Sequence, residues 1–309
     1  MSQPRRSDQD GPHIRLVAWD MDGTILRPVH AAPSETALFA HALGERSILF
    51  VPVSSLRLDD ARNASGEGFD FCSLVAASGA QIAEGLSTLK TCVIPRDDVI
   101  RLVDAVRSLE NAVCIVSPAT GPHLVLGKTP GDESLEEFDR TTGGAFANRH
   151  VVDSLPEGFE AVAACVAHSG HSPREVVSYL EPVSASLAFV PNGEHLIGVS
   201  LKGMDEGMGL AWLMERNGVS PEEAMAFGGT AAGASISDTV SYMVATADAA
   251  PEVQERASFS IGPSEGHSVQ LALGEMINVI DREGALTPRG MLAALEIAGW
   301  NGRTRPRKS

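Results

Sequence analysis

Basic residues are few for the length: 24 Lys and Arg stand against 40 Asp and Glu in 309 residues, a formal net charge of −16. A surface this acidic repels phosphate backbones and anionic headgroups, which argues against nucleic acid and membrane surfaces as partners. Aromatic residues are scarce too, at 5%, so any core must be built from aliphatic side chains. The four cysteines, Cys72, Cys92, Cys114 and Cys165, are far apart and form no C-x-x-C pair. Zinc binding and a disulfide framework are therefore not indicated, and reduced, mostly buried thiols in a cytoplasmic protein are expected. Long apolar runs are absent: residues 48–53 and 161–167 fall far short of the ~20 residues a membrane span needs. Residues 1–12 are polar and carry no apolar region of leader type. The nine histidines show no H-E-x-x-H spacing.

Hydrophobic residues nevertheless make up 43% of the chain, enough for sizeable cores. The length suits two domains of about 100–200 residues each. Residues 1–12 read as a disordered arm and 301–309 as a basic, frayed tail. The run Ile14-Arg15-Leu16-Val17-Ala18-Trp19 reads as a buried strand. Ser34 after Pro33 reads as a helix N-cap, with Leu38, Phe39 and Ala42 as the apolar face. Residues 47–53 and 71–76 read as further buried strands. Strand–helix–strand alternation predicts a parallel sheet covered by helices. The middle of the chain has another texture. It carries a helix over 98–109, strands over 113–117, 123–127 and 162–168, a polar loop over 129–148, a helix over 173–180, and a hairpin around Pro191-Asn192-Gly193. It reads as an α+β module inserted at 86–186 into a first domain made of 13–85 and 187–300. Within that first domain a helix over 207–217 and strands over 224–227, 242–245 and 258–261 follow.

The first strand ends at Asp20-Met21-Asp22-Gly23-Thr24. In open α/β sheets ligands bind outside the carboxyl ends of the strands. Two carboxylates two residues apart can divide nucleophilic attack and proton transfer between them.

These residues resemble the haloacid dehalogenase (HAD) superfamily, in its Cof-type sugar-phosphatase-like branch. Residues 20–26 are similar to the nucleophile motif D-x-D-G-T-L-L. Ser54, followed by Ser55, resembles the phosphoryl-binding Ser/Thr motif. Ala77-Ser78-Gly79-Ala80 is similar to the turn leading into an inserted cap, and Gly207-Met208-Gly209-Leu210 to the helix after the third motif. Ala226-Phe227-Gly228-Gly229 resembles the fourth motif, and 244–253 the V-A-M-G-N-A…P-E-V stretch. The resemblance implies an α/β fold: a Rossmann-like HAD core with a parallel sheet plus an inserted α+β cap domain. It implies a Mg2+-dependent phosphatase of small phosphorylated metabolites, of sugar-phosphate type. Asp20 would be the nucleophile, and Asp22 the general acid/base. Ser54, Ser55, Gly23 and Thr24 would bind phosphate. Mg2+ would be held by Asp20, Asp22 and an acid of the fourth motif.

The chain departs from that pattern where positive charge is needed. The third-motif lysine position holds Glu206, and Lys202 lies four residues earlier beside Gly203. The fourth-motif acids are Gly229 and Gly233. The second motif reads Ser54-Ser55-Leu56, with Arg57 as a substitute one position on. Two like charges ~4 Å apart repel by about 4 kcal/mol at an effective dielectric of about 20, and charge neutralisation supplies most of phosphoryl-transfer catalysis. Activity is therefore expected to be weak, with Lys202, Glu206 and Arg57 as candidate replacements. Glu206 has a second reading, as a solvated carboxylate at a helix start. His168 and His171 read as cap-loop histidines, either in reach of a substrate or simply exposed, Asp248 as structural, and Met204, Met208 and Met214 as core filling. Three functions stay open: a weak phosphatase; an inactive pseudophosphatase that binds a ligand or a protein partner; and an enzyme using Asp20 and Asp22 without the usual metal site.

Overall fold

The structure is a computed structural model describing residues 12–21, 34–65, 72–127, 148–191 and 194–302. Its larger sheet takes β1 (Leu16–Asp20), β2 (Leu49–Val53), β3 (Ser73–Ala76), β4 (Gln81–Glu84), β5 (Ser87–Thr91), β12 (Ala224–Gly228), β13 (Tyr242–Ala245) and β14 (Phe259–Ser260). They run in the order β14-β13-β12-β1-β2-β3-β4-β5. Pairing is parallel from β14 to β3 and antiparallel across β4 and β5. Strand β1 lies at the centre, fully buried, which is why it reads as a continuous apolar run rather than an alternation.

Helices cover both faces. Val17, Trp19, Phe50, Met225 and Phe227 face α1 (Ser34–Glu45), α7 (Ser268–Glu283) and α8 (Pro288–Ile297). Leu16, Ala18, Val51 and Ala226 face α5 (Glu206–Asn217) and α6 (Pro251–Arg256). The layers are largely aliphatic, as the composition requires, with Trp19 tilted against Phe50 at 5.8 Å. In α1 the buried positions are Ala40 and Leu43, whereas Leu38, expected on the apolar face, is 70% exposed. The first core needs one helical stripe only, and Leu38 falls off it.

The smaller sheet contains β6 (Ala112–Pro118), β7 (His123–Gly127), β8 (Arg149–Val151), β9 (Ala161–His168), β10 (Leu187–Pro191) and β11 (Leu196–Leu201), ordered β10-β11-β9-β6-β7-β8. It is antiparallel except at β7–β8. Helices α3 (Arg96–Arg107) and α4 (Pro173–Leu180) pack on one face through Leu102, Val106, Val176 and Leu180. Helix α4 opens with a capping box between Ser172 and Glu175. The sheet pairing differs from the boundaries expected at 86 and 187. Strand β5 pairs with the larger sheet, while β10 and β11 pair within the smaller one. The loop expected at 129–148 and the hairpin tip Asn192-Gly193 lie, but for Asn148, outside the described residues. So do the arm and tail, apart from Pro12, Asn301 and Gly302. Among the described residues no helix is long and apolar enough to cross a membrane. The four cysteines are free thiols, and burial pushes Cys72 and Cys165 up to about 12.

Candidate active site

Parallel register sets the site. Asp20, the last residue of β1, pairs with Val53 of β2, so Ser54 follows at the same carboxyl edge. On the other side Trp19 pairs with Phe227, which brings the end of β12 and Gly229 alongside. Asp20 and Ser54 are both fully buried. The turn 77–80 closes the same edge: Ser78 N–H donates to the Ser54 carbonyl and Ala77 N–H to the Leu56 carbonyl. Ala77 and Ser78 both hold φ of +49°, a conformation costing non-glycine residues about 1–3 kcal/mol each. The next residue must be glycine, because a Cβ on Gly79 would meet the Asp205 carbonyl oxygen at 2.1 Å. Two segments singled out in the sequence, 77–80 and 205–209, thus touch: a Cβ on Gly209 would meet the Gly79 Cα at 2.7 Å.

The Asp20 carboxylate is held by the segment after β12. Its Oδ2 accepts from Gly229 N–H at 3.1 Å, from Thr230 N–H at 2.8 Å and from Thr230 Oγ1 at 2.8 Å. Thr230 Oγ1 also accepts from Gly233 N–H at 3.3 Å. Gly233 lies against the carboxylate, and a Cβ on it would come within 2.5 Å of Oδ2. A buried anion needs such donors to offset its lost hydration. Thr230 is a site residue that the sequence reading missed. Its only signal was a hydroxyl next to the two glycines where acids are expected.

The other expected residues divide as follows. Glu206 is 1% exposed, which overturns its reading as a solvated carboxylate. It opens α5, whose N-cap Asp205 accepts from Met208 N–H at 2.8 Å. Helix α5 packs on the 3₁₀ turn Ala232–Asp238 that carries Gly233, and Gly207 N–H donates to Ser235 Oγ at 3.1 Å. The buried carboxylate thus stands where the helix N-terminus favours negative charge. Lys202 is exposed in the turn after β11, beside Gly203 at φ +78°. Arg57 is buried, but its guanidinium is taken by Asp60 (Nε–Oδ2 2.5 Å, Nη2–Oδ1 3.1 Å) and by the Gly121 carbonyl. Its guanidinium is therefore already engaged by these two partners. Ser55 is half-buried in the loop after Ser54. Asp22, Gly23 and Thr24 lie outside the described residues.

Asp248 is structural, as expected: it accepts from Ser264 N–H at 2.9 Å and from the Ser264 hydroxyl. Met214 is core, but Met208 is 55% exposed. His168 is 4% exposed rather than a surface residue.

Phosphotransferases of the superfamily that the sequence resembles generally use Mg2+. The described residues do not fit it. Mg2+ requires several oxygen ligands in near-octahedral array, whereas Gly229 and Gly233 offer no side chain and Asp20 Oδ2 already accepts three hydrogen bonds. The space an acid at 233 would need is filled by the Asp20 carboxylate itself. Among the described residues, no three His, Cys, Asp or Glu side chains are grouped to hold a metal ion.

A model of haloacid dehalogenase-like hydrolases matches residues 17–273. The chain belongs to this family. No curated protein matches it. Among solved structures, a protein from Streptococcus mutans UA159 superposes with a TM-score of 0.73 at 20% identity, over 87% of this chain and 98% of that one. A haloacid dehalogenase-like hydrolase from B. subtilis gives 0.71 at 17%, over 85% and 100%. A HAD subclass IIB sugar phosphatase gives 0.69 at 17%, over 87% and 99%. At these identities the likeness is one of fold: the α/β HAD core, with its large parallel sheet between helices.

Proposed function

We propose that this HAD-family chain is a pseudophosphatase. The smaller sheet, with α3 and α4, acts as an inserted cap over the Asp20 edge. The Asp20 edge keeps a binding role for a small metabolite, and phosphoryl transfer is silent. The observation that carries this reading is the Asp20 carboxylate, capped by Gly229 and Thr230 and pressed against Gly233. A nucleophile must meet phosphorus with an oxygen lone pair in line, and each donor on Oδ2 lowers that oxygen's nucleophilicity. The buried Glu206 in place of a lysine removes the positive charge that a transferring phosphoryl group needs. The free, mostly buried thiols support a cytoplasmic location.

A second reading, residual phosphatase action on sugar phosphates, is favoured by one fact. Asp20 stays at the carboxyl edge of the central strand, next to Ser54. The two readings separate in one experiment. Phosphate release from sugar and nucleotide monophosphates is measured with and without Mg2+, beside Asp20→Asn. The pseudophosphatase reading expects no release above the Asp20→Asn protein. Release that needs both Mg2+ and Asp20 overturns it. Thermal-shift titration with the same panel reports binding separately from turnover.

A further inference from the structure

The larger sheet's cores and the smaller sheet's core are separate apolar clusters. Between them lies a thin layer of small residues, Ala77, Ala80 and Val162, with Cys92, Ala119, Ala163 and Met204 at its margin. A polar chain crosses the same junction. Arg57, in the loop after Ser54, grips Asp60 through two nitrogens and donates to the Gly121 carbonyl in the turn between β6 and β7. Asp60 Oδ2 stands 2.9 Å from His123 Nε2, and His123 Nδ1 stands 2.8 Å from Ser117 Oγ. Gln81 adds a parallel strut: its Oε1 accepts from Leu58 N–H at 2.9 Å, and its Nε2 donates to the Ala119 carbonyl at 3.3 Å. The Arg57 and His123 side chains are 3% and 1% exposed, and Asp60 13%.

This chain holds Asp, His and Ser in a row, yet Ser117 is 3% exposed and its hydroxyl is sealed inside the junction, so it does not serve as a nucleophile. Nor does stability alone account for it, since buried ion pairs are often no better than apolar packing of the same volume. What polar contacts of this kind give is a single geometry between two surfaces. The surfaces here are the loop that follows Ser54, one strand from Asp20, and the 118–123 turn of the smaller sheet.

We infer that Arg57, Asp60 and His123 are positioning residues that latch the 118–123 turn onto the loop following Ser54, and so set how far the smaller sheet opens over the Asp20 edge. Ser117 completes the latch in either histidine state, because its hydroxyl can donate to a neutral Nδ1 or accept from a protonated one.

The test is hydrogen exchange on the full chain, in wild type, Asp60→Asn, His123→Gln and the double variant. Exchange in 54–61 and 112–127 should quicken together, by about ten-fold or more, the change expected from losing one charged hydrogen bond. Segments in β1, β12 and β13 should keep wild-type rates, and the double variant should show no more than the larger single effect. Exchange that rises only around the substituted residue, that does not change, or that rises equally everywhere overturns the latch. Should a variant fail to fold, the wild type at low urea answers the same question. The two segments share one opening transition if they are latched, and different transitions overturn it.

Discussion

Gly233 and Asp20 are in contact so close that any larger residue would have to displace the aspartate: an added Cβ would lie 2.5 Å from Oδ2 and 2.9 Å from Cγ of the side chain. The sequence resemblance leads to an acid being expected at this position, and the Asp20 carboxylate occupies the space its Cβ would need. Gly233→Ala should lower the unfolding free energy by about 1–3 kcal/mol, the cost of overpacking a filled interior. Gly229→Asp/Gly233→Asp should be less stable still, without any gain in Mg2+-dependent phosphate release. Urea denaturation and a phosphate assay read both. Stabilisation of the double variant by Mg2+ would show instead that the segment can reopen into a metal cage.

Thr230 supplies a side-chain donor to Asp20 Oδ2, at 2.8 Å, alongside two backbone N–H groups. Thr230→Val keeps the shape and removes the hydroxyl, leaving a buried carboxylate with one donor fewer. The expected loss is about 1–3 kcal/mol, with Thr230→Ser close to wild type. The difference between the two variants in urea midpoint is the measurement. Equal behaviour of Val and Ser would mean that the backbone amides suffice.

The run 14–19 is legible as a buried strand because a central parallel strand meets apolar layers on both faces, and Asp20 then falls at the ligand-binding edge by topology alone. The strands β12 and β13 and the helix α4 are legible for the same local reasons: short apolar runs, and a Ser172–Pro173–Glu175 start. Strands β4 and β5 are not, because Ser87–Thr91 is mostly exposed and shows no clean alternation. Arg57 reads as a phosphate ligand one position out of register, since nothing local reveals that Asp60 and the Gly121 carbonyl, 64 residues away, take its guanidinium. Glu206 reads as solvated because a carboxylate at a helix start usually is. Its burial comes from tertiary packing, in which α5 lies against the distant Ala232–Asp238 turn and the larger sheet.

His168 gives the fold a pH dependence of known sign. It ends β9 with both ring nitrogens buried and without a hydrogen-bond partner among the described residues. Burial, aided by the nearby His195 and His171, holds it below its ordinary value of 6.5. The folded state therefore favours the neutral ring. This part of the stability is complete above about pH 6.5 and is lost as pH falls below it, because the unfolded chain takes up a proton that the folded chain resists. The difference in unfolding free energy between wild type and His168→Gln, followed from pH 8 to about pH 5, should shrink as the pH drops. A difference that stays constant across the range would mean the ring takes up its proton equally in the folded and unfolded chains, so that burial does not lower it.

Glu206→Lys restores the residue that the family pattern places before the Gly207-Met208-Gly209-Leu210 helix, and it separates a lost catalytic part from a rebuilt site. At this position the side chain is 1% exposed at the first turn of α5, where the helix dipole favours an anion by about 0.3–1 kcal/mol, and up to ~2 when partly buried. A lysine reverses that sign and brings a cation into a space shaped for a carboxylate. The variant should thus unfold at lower urea by the equivalent of at least about 1 kcal/mol, while Glu206→Gln loses less. Phosphate release should stay at the Asp20→Asn level, because Gly229 and Gly233 still offer no acids and Thr230 still caps Asp20. If Glu206→Lys instead gained Mg2+- and Asp20-dependent release, one charge would be all that separates this chain from a phosphatase. The closed segment over Asp20 would then have to be a resting state that substrate opens.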